Sequence, residues 1–133
     1  MNNTNHTLGI KQGTIIWTNQ DNNVCLVRVP DEDCTFEYIE GDTFNPIANP
    51  DIDPEELKKQ ETKAKKDFEE EGGASGILSY YKCPCCNIWV QSIESIWGIW
   101  GIDWDHFNPN DEGLEYLYTT AEAQLKTVSE KLK

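Results

Sequence analysis

Three short runs near the N-terminus, GTIIWT (13–18), VCLVRV (24–29) and CTFEYIE (34–40), constrain this chain more than any other feature. Each is rich in β-branched and aromatic residues. The segments between them, 19–23 and 30–33, have turn compositions, so the runs read as three strands. Connections this short join neighbouring antiparallel strands. The register can be tested, because side chains alternate between the two faces of a sheet. With 19–23 and 30–33 as loops, Thr18 pairs with Val24, Trp17 with Cys25 and Ile15 with Val27. Val29 then pairs with Cys34, Val27 with Phe36 and Cys25 with Tyr38. One apolar face results, carrying Ile15, Trp17, Cys25, Val27, Val29, Cys34, Phe36 and Tyr38. Cys25 and Cys34 are not opposed in this register, and both read as small core hydrophobes.

Two helices are expected further on. Asp53 suits an N-cap, Pro54 the first helical position, and Glu56 the capping-box position three residues after Asp53, with Gly72 as the stop. Its apolar stripe is thin (Leu57, Ala64, Phe68), so one edge docks and the rest is solvated. A second helix is expected from Asp111 or Glu112 to Leu132, with Leu114, Leu117, Ala121, Leu125, Val128 and Leu132 at helical spacing. Between the helices, GILSYYKC (76–83) and NIWVQSIES (87–95) flank Pro84–Cys86 as a hairpin. The expected fold is α+β: an antiparallel sheet of about five strands, one exposed charged helix and one C-terminal packing helix. Residues 1–12 read as a flexible tail, and 13–133 as a single α+β domain.

Charge narrows the function. The chain has 133 residues and a net charge of −13. Residues 31–56 hold ten acids and no Lys or Arg, and residues 94–122 hold seven acids and again no Lys or Arg. Direct nucleic-acid binding is disfavoured, because phosphates are held by Lys and Arg. No apolar run is long enough for a signal peptide or a membrane span, so a cytoplasmic location in a bacterial cell and no membrane partner are expected. Five cysteines, an odd number, argue against a disulfide framework.

Two motifs remain. Cys83 and Cys86 have C-x2-C spacing, half of a zinc knuckle. A four-ligand site would need two more from His6, Cys25, Cys34 and His106, and Cys85 is able to replace either member of the pair. No cofactor is required by the rest of the sequence, so zinc is the one candidate. The stretch SIWGIWGIDW (95–104) places Trp97, Trp100 and Trp104 at i, i+3 and i+7, but Gly98 and Gly101 disfavour a helix there. It reads instead as a strand end where glycines turn the backbone and indoles cap the core.

The segment VQSIESIWGIWGID, with the later LEYLYTTAEAQL, resembles the S-L-W-G-I strand end and closing helix of short acidic proteins of bacteriophages and mobile elements. The likeness covers about the last third of the chain. The doubled WGI and the CPCC hairpin depart from it. What the resemblance implies is an accessory gene rather than a metabolic enzyme.

The sequence therefore favours an interaction protein of anti-defence type. It would block a basic, nucleic-acid-binding host protein by charge mimicry, with carboxylates in place of phosphates. The candidate contact residues are Asp31, Glu32, Asp33, Glu40, Asp42, Asp51 and Asp53, then Asp103, Asp105, Asp111 and Glu112, with Trp97, Trp100 and Trp104 as anchors. The alternatives are a zinc-binding domain built on Cys83 and Cys86, and a metal-dependent enzyme at Asp103, Asp105 and His106. No phosphate-binding or hydrolase motif is present, and no catalytic residue is assigned.

Overall fold

The structure is a computed structural model and describes residues 8–132. It is α+β: four strands in one antiparallel sheet and three α-helices. The strands are β1 (Thr14–Thr18), β2 (Val24–Pro30), β3 (Ser75–Lys82) and β4 (Trp89–Ile99), lying in the order β1-β2-β3-β4. The helices are α1 (Phe36–Glu40), α2 (Pro54–Glu70) and α3 (Glu115–Lys131), and Trp104–His106 forms a short 3-10 turn. The described chain divides into two compact units. One comprises 8–29, 76–96 and 102–132, and the other 30–75 and 97–101.

In the first unit β2 is buried along almost its whole length, because both faces of the sheet are covered. One face carries Cys25, Val27, Val29, Leu78, Tyr80 and Trp89, with Ile10 and Ile15 against it. The other carries Leu26 and Ile77, closed by Leu114, Leu117 and Phe107. The expected pairing of Ile15 with Val27 is present. Trp17, however, faces Leu26 instead of Cys25, because a bulge between Ile15 and Trp17 shifts the register by one. The extra residue moves the indole to the opposite face, where it packs on Tyr118 at 4.7 Å between ring centroids. Leu8 is tied down as well: its carbonyl accepts from Trp89 N at 2.8 Å. Met1–Thr7, and with them His6, lie outside the described residues.

α3 begins later than the sequence suggests. Residues 109–113 are taken up by turns, with Leu114 N donating to Pro109 O at 2.8 Å and Gly113 at φ +71°. Its docking side is Leu117 and Ala121, while Leu132 is exposed. Ser92 Oγ donates to Gln124 Oε1, fixing the helix on β4.

The second unit corrects the expectation of a third N-terminal strand. Residues 36–40 are helical: Thr35 is the N-cap, and its Oγ1 accepts from Tyr38 N at 3.1 Å. A strand would place Phe36 and Tyr38 on one face, yet Phe36 is buried and Tyr38 is 82% exposed. Local capping outweighs the β-propensity of the run. This is why the sheet has four strands and not five. α2 starts after Asp53 as expected, but it is the Asp53 carbonyl, not its carboxylate, that accepts from the helix, at Leu57 N. Leu57 and Phe68 are its buried residues. Lys65 bridges to Glu37 at 3.1 Å and links α2 to α1.

The core of this unit is aromatic. Phe36, Phe68 and Ala74 are buried, with Cys34, Phe44, Ala64 and Trp100 against them. Phe68 meets Phe36 and Trp100 edge-on at 5.6 and 5.5 Å, and Phe36 stacks on Phe44 at 6.0 Å. Each such pair contributes about 0.5–1.5 kcal/mol beyond its buried area.

Candidate functional site

The segment 97–101 is held in the second unit by three carboxylates. Asp31 accepts from Gly98 N at 2.9 Å, Glu40 from the Trp100 indole N–H at 3.2 Å, and Glu71 from Gly101 N at 2.9 Å. Both glycines have positive φ, +74° and +80°, so the backbone turns there at little cost. Bonds from N–H groups to charged acceptors are about twice as strong as neutral ones. Asp31 and Glu40, read from the sequence as contact residues, thus have a structural task, and Glu71 joins them with no motif to mark it.

This clamp drives the Trp100 ring into the aromatic core and leaves Trp97 half exposed. Beside Trp97 lies a groove of about 430 Å³, lined by Asp31, Asp33, Cys34, Tyr38, Trp97 and Gly98. Two exposed aromatic rings and two carboxylates share it. Asp33 is exposed, as are Glu32, Asp42, Asp51 and Asp53 around the rest of the unit. Glu32 edges a neighbouring groove with Glu37, Lys65 and Glu69. Asp42 accepts from the Asn45 side chain at 3.3 Å, inside a loop whose backbone carbonyls at Asp42, Thr43 and Asn45 accept from the Asn49 side chain. Desolvation lifts the Cys34 thiol above its ordinary range, with Asp31 adding to the effect.

The second acidic block belongs to the other unit. Asp103 and His106 pair at 2.8 Å, and both are exposed. The contact raises the His106 pKa and lowers that of Asp103. Among the described residues, Asp103, Asp105 and His106 do not form a group tight enough to hold a metal ion. Trp104 is half-buried, under the Arg28 guanidinium at 4.2 Å from its centroid and against Phe107. Asp111 and Glu112 are exposed in the turns before α3.

The cysteines also sort themselves. Cys25 sits in β2, where burial pushes its thiol up to about 12. Cys83, Cys85 and Cys86 form the β3–β4 turn, their sulfurs all within 4.8 Å of one another. Cys83 Sγ contacts Cys85 Sγ at 3.2 Å. Hydrogen bonds from the Cys85 and Cys86 side chains and backbone amides lower the Cys83 thiol to about 7, and Cys85 rises to about 11. The C-x2-C spacing pointed to Cys83 and Cys86; the fold brings Cys85 in beside them, and neither Cys25 nor His106 joins the group.

No protein-family model, curated protein or solved structure matches the chain. Among the described residues, no helix is long and apolar enough to cross a membrane.

Proposed function

We propose that this chain is an interaction protein that recognises basic protein surfaces. Its particular task is to occupy the nucleic-acid-binding surface of a host protein, as an accessory, anti-defence product of a bacteriophage or mobile element. The observation that carries the reading is the groove at Trp97, Tyr38, Asp31 and Asp33. Two aromatic faces beside two carboxylates suit a Lys or Arg side chain: the rings attract the cation by about 0.5–2 kcal/mol and the carboxylates pair with it. The exposed acids Glu32, Asp42, Asp51 and Asp53 of the same unit extend the negative field that steers a basic partner into contact.

The test has two arms. Fluorescently labelled Arg- and Lys-rich peptides are titrated into the protein at low and high salt. Proteins captured from a bacterial lysate are then assayed for DNA binding with and without this chain. Salt-sensitive peptide binding, weakened at least tenfold by Trp97→Ala or by Asp33→Lys, is expected. So is competition with DNA for the captured protein. Unchanged peptide binding in both variants overturns the reading of the groove. Capture without competition overturns the mimicry.

A further inference from the structure

The turn that joins β3 to β4 carries three thiols on four consecutive residues, and its backbone is closed at the base. Cys83 N donates to Ile88 O at 2.9 Å, and Asn87 N to Cys83 O at 2.8 Å. Asn87 takes a positive φ of 59° to complete the return. Pro84 stiffens the segment between the first two cysteines. We propose that Cys83, Cys85 and Cys86 form a three-thiolate Zn²⁺ site, with the fourth tetrahedral position open to solvent.

Distance and donor chemistry carry the assignment. Zn–S bonds of about 2.3 Å in a tetrahedron set neighbouring sulfurs about 3.8 Å apart. One sulfur pair here is in contact at 3.2 Å and every pair lies within 4.8 Å, so the three are close enough to share one such ion. Small side-chain rotations equalise them, and the two cysteines at the tip are exposed and free to make that adjustment. Thiolate donors select thiophilic ions, and among those Zn²⁺ binds without a change of oxidation state. Backbone amides of Cys85 and Cys86 donate to the Cys83 sulfur. Such donors offset the negative charge that three thiolates bring together. A structural zinc site closes its fourth position with protein; this one leaves a position for water or an incoming ligand. Metal binding releases the protons that the thiols carry, so uptake is pH-dependent in the direction of tighter binding at higher pH. The site lies in the other unit from the Trp97 groove and stands independently of the function proposed for it.

The experiment is a Co²⁺ titration of the reduced full-length chain under exclusion of oxygen, followed by displacement with Zn²⁺. One equivalent of Co²⁺ should produce thiolate-to-cobalt charge transfer and the visible bands of a four-coordinate ion, and Zn²⁺ should abolish both. Cys85→Ser separates this site from a Cys83/Cys86 pair. Loss of a group that only hydrogen-bonds to a metal ligand costs about 10–100-fold in metal affinity, so loss of a ligand itself should cost at least about 100-fold. Cys86→Ser should behave alike and Cys34→Ser like the parent, with circular dichroism confirming that each variant is folded. Absence of the charge-transfer band overturns the proposal. So does a Cys85→Ser variant that binds as tightly as the parent, or a Cys34→Ser variant that loses the metal.

Discussion

Phe68→Ala is the sharpest probe of the second unit. Phe68 is 7% exposed and stands between Phe36 and Trp100, edge-on to both. Burying a phenylalanine side chain contributes roughly 2–3 kcal/mol, and each of two aromatic pairs roughly 0.5–1.5 kcal/mol more. The sum, about 4 kcal/mol, falls within the range measured when a buried aromatic residue is cut to alanine. That is a large share of the 5–15 kcal/mol that holds a typical domain together. With a urea m-value of about 2 kcal/mol/M, the unfolding midpoint should fall by about 2 M. Tryptophan fluorescence follows the change directly, because Trp100 loses a packing partner. Phe68→Leu, which keeps most of the volume, should shift the midpoint by less than half as much. A shift under about 0.5 M for the alanine variant would refute the reasoning, since a ring enclosed on two edges by aromatic neighbours cannot be removed so cheaply. The same variant should weaken basic-peptide binding, because Trp100 anchors the segment that presents Trp97.

Other outcomes follow from single contacts. Gly13 has φ +100°, and a Cβ there would lie 2.6 Å from Arg28 O, so Gly13→Ala should cost at least about 2 kcal/mol in chemical denaturation. Gly72→Ala, at φ +92° but facing open space, should cost only about 1 kcal/mol. By NMR titration His106 should ionise above 6.5, and Asp103→Asn should take away most of that rise, leaving the smaller pull of Asp105. With the histidine pKa raised, this pair's contribution to stability is complete between 3.8 and 6.5 and fades as pH rises through the folded histidine value. With Asp103 lowered from 3.8, it also fades as pH falls through that folded value. Alkylation with mapping by mass spectrometry of the reduced, metal-free chain should label Cys83 first near neutral pH, and Cys25 only after unfolding.

What the sequence discloses is decided by how local the cause is. α2 and the first hairpin are written in nearest neighbours: Pro54 at a helix start, Gly72 at its end, asparagines between two β-branched runs. Residues 34–40 mislead because Phe36 and Tyr38 favour strands while Thr35, one polar side chain, caps a helix. The bulge before Trp17 has no composition of its own, yet it moves an indole across the sheet. At the candidate sites, Trp97, Asp31 and Asp33 stand out by type. Tyr38 reaches their groove only because 36–40 coils, and Glu71 matters only because a strand end returns to it. Cys85 escapes the C-x2-C pattern because spacing names pairs, whereas a tight turn gathers three.

The second unit is not a continuous piece of chain: residues 30–75 enter first, and the last strip, 97–101, comes after most of β3 and β4. Its ties span 67 residues from Asp31 to Gly98 and 60 from Glu40 to Trp100. A chain emerging from the ribosome therefore makes α1 and α2 well before it makes the indole that completes their core. Until then Phe36 and Phe68 lack one of their ring partners. Closure of such distant contacts is slow relative to local helix formation. Truncation just before Trp97 should thus leave an apolar surface for chaperones and proteases to find, and a gene cut there cannot yield half of a working protein.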